Sequence, residues 1–163
     1  MTTRILHTSD WHLGVGINSQ RCEDEQRRFL DWLAGEIAER AIDVLIVAGD
    51  VFHYATPSNT ARAMYYDFLV DCSAVATLDQ VVVVGGNHDS PTGLDAPREL
   101  LGSLDVHVVG GLPYDEAVRL ERCLVPIGEG PQLVVAAVPY ARRAQLGVGL
   151  DDEQGRSVQS RYR

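Results

Sequence analysis

The sequence predicts an α/β fold built on a parallel sheet, and three observations carry that reading. Apolar runs recur at residues 4–8, 43–48 (DVLIVA) and 80–84 (QVVVV). The last two are nearly continuous, as in strands buried on both faces. Stretches with helical periodicity separate the runs. Each run also exits directly into a short polar motif: TSDWHLG at residues 8–14, AGDVFH at 48–53 and GGNHDS at 85–90. Alternating strands and helices imply parallel strands joined by right-handed crossovers.

The first strand is short, and the first polar motif follows it. Residues 23–40 then predict a helix, because Phe29, Leu33 and Ile37 recur at i, i+4 and i+8 with Leu30 and Ala34 beside them. The run 43–48 is the second strand. Pro57, Ser58, Asn59 and Thr60 supply turn and N-cap chemistry. A second helix should run from there to about Val75, with Ala61, Tyr65, Phe68, Cys72 and Val75 on one face. The run 80–84 is the third strand. A short helix is expected after Pro97, then a strand at 106–109 ending at Gly110-Gly111. Two further strands are expected at about 117–125 and 133–138. The Gly128-Glu129-Gly130-Pro131 stretch between them suggests antiparallel pairing. Residues 1–150 read as one domain and 151–163 as a polar tail, either a disordered end or the opening of another helix.

A chain of 163 residues can bury a sizeable core, since domains commonly hold about 100–150 residues. No apolar stretch approaches the roughly 20 residues needed to cross a bilayer. The N-terminus shows no signal-peptide hydrophobic region, so a cytoplasmic protein with no membrane partner is expected. Cys22, Cys72 and Cys123 are scattered and odd in number, which suggests neither a disulfide framework nor a zinc knuckle. A net charge of −9 argues against coating DNA by bulk electrostatics. It leaves open an enzyme acting on phosphates, because bound divalent cations reverse the local field of clustered carboxylates. All 14 basic residues are arginine, from which no function is drawn.

The three polar motifs carry the chemistry. Asp10 and His12 are two residues apart, a spacing that in extended backbone sends both side chains to one side, where they can share a metal. Carboxylate with imidazole suits Mn²⁺, Fe²⁺ or Zn²⁺. Asp50 leaves the next strand and Asn87 the one after, so four metal-competent residues would converge at one sheet edge. Asp50 is the best bridge between two ions, having two oxygens to offer. Asn87 offers a neutral carbonyl oxygen to a second ion. Each motif alone also reads as a turn: Asp and His cap chain exits, and Gly-Asn adopts left-handed conformations. All three in this order, each after a strand, favour the functional reading. His7 and His107 read as structural.

The set D-x-H, G-D-x-x-H, G-N-H-D resembles the calcineurin-like metallophosphoesterase superfamily. The surrounding wording, ILHTSDWHLG, VLIVAGDVFH and VVVVGGNHDS, is similar to its Mre-type repair-nuclease branch over residues of about 4–143. That resemblance implies a mixed β-sheet sandwich flanked by helices. It implies two divalent metal ions, most simply Mn²⁺, with Asp10, His12, Asp50 and Asn87 as ligands. His88 would be the catalytic histidine that protonates the leaving oxygen, oriented by Asp89, and His53 would touch the scissile phosphate. Hydrolysis of DNA follows, by exo- and endonuclease action in repair, recombination and replication. The implied partners are an SMC-like ATPase (SbcC-type) and a second copy of the chain.

The family completes its site with an isolated histidine and a G-H-x-H motif, yet no histidine follows His107 in this sequence. A capping domain is absent as well. The resemblance therefore implies a fragment or truncated gene product that is incomplete at its C-terminus and has little activity by itself. Two alternatives stand beside the nuclease: a phosphoesterase acting on small nucleotides, and a non-catalytic dimerising remnant.

Overall fold

In a computed structural model of the chain, which describes residues 2–17, 20–128 and 133–141, the apolar runs become neighbouring parallel strands. The elements are, in order, β1 (Ile5–Thr8), two-residue strands β2 (Gly16–Ile17) and β3 (Gln20–Arg21), α1 (Glu23–Glu39), β4 (Val44–Ala48) and α2 (Asn59–Ser73). There follow β5 (Gln80–Val84), α3 (Pro91–Asp95), α4 (Arg98–Gly102), β6 (Val106–Val109), α5 (Glu116–Cys123), β7 (Leu124–Ile127) and β8 (Leu133–Ala136). The main sheet has the order β1-β4-β5-β6 and all of its pairs are parallel. β2 with β3 and β7 with β8 form antiparallel pairs. The fold is thus mixed, as the sequence predicts.

Side-chain alternation explains why the central runs lack polar residues. Leu45, Val47, Val81, Val83, Val106 and Val108 join one buried cluster with Leu30, Leu33 and Ile37 of α1 and Met64, Tyr65 and Phe68 of α2. Val44, Val82, Val84 and Val109 face the other way, against Cys123, Val125, Ile127 and Ala137. The sheet is therefore covered by helices on one face and by the β7–β8 pair on the other. Each fully buried Val or Leu contributes about 1.5–3 kcal/mol, so the central strands anchor everything attached to their ends.

Helix α1 ends one residue short of the predicted span, and its buried stripe holds a polar residue, Gln26. Helix α2 starts where the turn chemistry predicts: the Ser58 hydroxyl accepts the N–H of Ala61 at 3.1 Å. The predicted strand over 117–125 is incorrect. Most of that segment is α5, because the Asp115 side chain accepts the N–H of Val118 and its carbonyl accepts that of Arg119. That N-cap outweighs the scattered apolar residues, and extended backbone begins only at Leu124. The antiparallel pairing expected of the two late strands is present, with Leu124 opposite Ala136. Gly128, the residue after β7, has φ +74°. Residues 129–132 and the tail 151–163 lie outside the described residues.

Candidate metal centre

The register makes the carboxyl ends of three strands flush. Thr8 lies opposite Val47, and Ala48 opposite Val84. The loops that follow are then bound to one another by backbone. Asp10 N–H donates to Gly49 O at 3.1 Å, His12 N–H to Asp50 O at 2.9 Å and Leu13 N–H to Val51 O at 2.9 Å. The second and third loops are joined through Asp89, which is fully buried. Its carboxylate accepts the N–H groups of Val51 at 3.2 Å, Phe52 at 2.9 Å and Gly86 at 2.8 Å. Burial pushes the Asp89 carboxyl above its ordinary range; the three N–H bonds act against this, and the nearby Asp50 charge adds to it.

Asp10, His12 and Asp50 share one backbone peculiarity. Their φ angles are +56°, +47° and +49°, all left-handed. An L residue held there costs about 1–3 kcal/mol, and such residues cluster at functional sites. Asp10 and His12 thus come together through a turn beyond β1, and the expectation of extended backbone between them is corrected. Their side chains nevertheless converge. His12 Nε2 lies 3.9 Å from Asp10 Oδ1 and 3.8 Å from Asp50 Oδ2. One ligand atom from each of the three lies within 4.8 Å of the others. Two carboxylates and one imidazole fit a divalent transition ion.

Asp10, Asp50 and Asn87 line one cleft of about 260 Å³, with Gly49, Gly86 and Tyr140 in its walls. Tyr140 is fixed there by its N–H, which donates to Gly85 O at 2.8 Å. The third loop comes close to the second only because residue 86 is glycine. A Cβ on Gly86 would overlap the backbone nitrogen and Oδ1 of Asp50. Asp50 Oδ1 also accepts the N–H of His88 at 2.9 Å.

Three histidines adjoin the carboxylates. Ligand atoms of His12, His53 and His88 lie within 4.8 Å of one another, and His12 Nδ1 is 3.4 Å from His53 Nδ1. Burial lowers the His53 pKa, and the like charges of His12 and His88 lower it further, against an opposing pull from Asp50. His88 Nδ1 meets the carbonyl oxygen of His53 at 2.9 Å. The ring of His88 is thus held at Nδ1 by the His53 carbonyl, and Asp89 holds three backbone amides of the second and third loops.

Gln26 escaped the sequence reading altogether. Its Oε1 accepts the N–H of Gly14 at 3.0 Å and its Nε2 donates to His12 O at 2.8 Å. The available signal was a glutamine one turn before Leu30 on an otherwise apolar stripe. His7 is exposed on β1, and His107 Nε2 bonds Arg122 O at 2.7 Å, both away from the three loops. Cys72 and Cys123 are buried thiols, and burial pushes Cys72 up to about 12.

The family profile of the calcineurin-like phosphoesterases matches residues 3–136. The SbcD subunit of nuclease SbcCD from Rhodobacter capsulatus is 38% identical over 157 residues, covering 93% of this chain and 39% of that protein. The Escherichia coli K12 protein of the same name is 36% identical over 140 residues, 85% of this chain and 33% of its own length. Its Bacillus subtilis counterpart is 35% identical over 151 residues, 91% and 37% respectively. The chain therefore spans between 33% and 39% of the length of these relatives.

Proposed function

The chain belongs to the calcineurin-like phosphoesterase family, and on that premise we propose that the protein is a metal-dependent DNA nuclease of the SbcCD type. The observation that carries this reading is the convergence of Asp10, His12 and Asp50 from two strand ends, with ligand atoms within 4.8 Å. Asp10 and His12 would hold one divalent ion, Asp50 would bridge, and Asn87 would serve a second. Mn²⁺ suits this mixed carboxylate and imidazole set. Bound ions of this kind polarise a phosphodiester and lower the pKa of water. His88 supplies an acid at the leaving oxygen, with its Nδ1 engaged by the His53 carbonyl and Nε2 left for the proton. His53, whose pKa burial and its histidine neighbours lower, adjoins His12 and His88 and would contact the phosphate.

Similarity to the SbcD proteins extends the proposal to a complex with an SMC-like ATPase acting in DNA repair and recombination. Among the described residues no helix is long and apolar enough to cross a membrane; a cytoplasmic site of action is part of the proposal. The same resemblance extends the proposal to a homodimer. The test is hydrolysis of linear duplex DNA by the full-length protein with its ATPase, ATP and Mn²⁺. Cleavage that EDTA stops and His88→Asn slows severely is expected. Cleavage of small cyclic or diphosphate nucleotides but not of DNA would overturn the substrate assignment.

A further inference from the structure

We infer that Gln26 is a positioning residue of the metal centre, by which α1 holds His12 in its left-handed conformation. The inference rests on the metal reading of His12. The Gln26 side chain is buried, and its carboxamide reaches both ends of the His12-Leu13-Gly14 turn: Nε2 to His12 O at 2.8 Å and Oε1 to Gly14 N at 3.0 Å. The His12 carbonyl also accepts the N–H of Val15 at 3.0 Å, so both of its lone pairs are engaged. On the opposite side the same turn is bound to the second loop through His12 N–H and Leu13 N–H. From a third side, Gly14 approaches Ala61 of α2 so closely that a Cβ would lie 3.2 Å from that residue's own. His12 is thus enclosed by α1, by α2 and by the Asp50 loop. Of these contacts, only the Gln26 side chain spans the residues on both sides of Leu13. An L residue at φ +47° relaxes unless its neighbours hold it. Partners of this kind, one bond removed from a ligand, set its orientation and its affinity for metal.

Gln26→Leu and Gln26→Glu separate positioning from mere stability. The first removes both bonds; the second keeps an acceptor for Gly14 N–H but opposes an oxygen to the His12 carbonyl. Mn²⁺ affinity by calorimetry is expected to fall about 10–100-fold in both. Leu33→Ala, on the same helix but away from the turn, should lower thermal stability and leave affinity unchanged. A readout without metal accompanies this: the amide-to-α coupling and Cα shift of His12 by NMR should leave left-handed values in Gln26→Leu. Retention of those values together with unchanged Mn²⁺ affinity would overturn the inference. If the wild-type chain bound no Mn²⁺, the metal reading would fail, and the His12 backbone signals would still decide the clamp.

Discussion

The carbonyl oxygen of His53 meets Nδ1 of His88 at 2.9 Å, so the histidines of the second and third polar motifs are joined through the backbone of one and the ring of the other. A carbonyl can only accept, so Nδ1 carries the proton in this contact and Nε2 is the nitrogen that would act on a substrate. On the proposed function, His12 would serve with the carboxylates and His88 would be the acid. His88→Asn should lower the rate of DNA hydrolysis by about 10²–10⁴-fold, the usual contribution of a positioned acid. Mn²⁺ affinity should hardly change, which equilibrium titration of the variant checks.

Stability should depend on His53 in a defined direction. Its folded pKa is lowered from 6.5, chiefly by burial, then by His12 and His88. Between the folded value and 6.5 the unfolded chain binds the extra proton, so stability rises with pH across that interval. Acidification below 6.5 should therefore destabilise the metal-free chain, and His53→Gln should reduce that slope. Thermal melts in EDTA across this range measure it.

Asp89→Asn should destabilise the fold by about 1–3 kcal/mol. An amide presents one oxygen, whereas both carboxylate oxygens are used: Oδ2 by Val51 and Gly86, Oδ1 by Phe52. Whichever way the amide turns, its NH₂ opposes a buried donor. Denaturant unfolding at neutral pH tests the size of the loss.

Gly86→Ala should damage the centre without touching any ligand residue. The new Cβ overlaps backbone nitrogen and Oδ1 of Asp50, neither of which is the free end of a flexible chain. Overpacking of this type costs about 1–3 kcal/mol. A loss of Mn²⁺ affinity larger than that of Gly102→Ala, where an added Cβ meets nothing within 4 Å, is the expected calorimetric result.

The strands that position the centre were legible because burial on both faces removes polar residues from β4 and β5, leaving DVLIVA and QVVVV as unmistakable runs. Asp10, His12, Asp50 and Asn87 were legible as positions, since each leaves the end of such a run. Their local geometry was not. Left-handed φ at three non-glycine residues arises from bonds between loops distant in sequence, such as His12 N–H to Asp50 O. Gln26 was hidden for a similar reason, because its partners are backbone atoms that carry no residue identity. The bond from the His88 ring to the His53 carbonyl was equally invisible in sequence. At α5, a single capping aspartate decided between helix and strand, and apolar counting over 117–125 pointed the wrong way.

The central claim, that Asp10, His12 and Asp50 form a metal centre, is tested most directly by Mn²⁺ binding followed through the paramagnetic resonance of the free ion. The wild-type chain is expected to deplete the free signal, and Asp50→Asn, which replaces an Asp50 carboxylate oxygen 3.8 Å from His12 Nε2 or its neighbour, is expected to abolish most of that depletion. Mn²⁺ binding by Asp50→Asn as tight as that of the wild type would contradict the account.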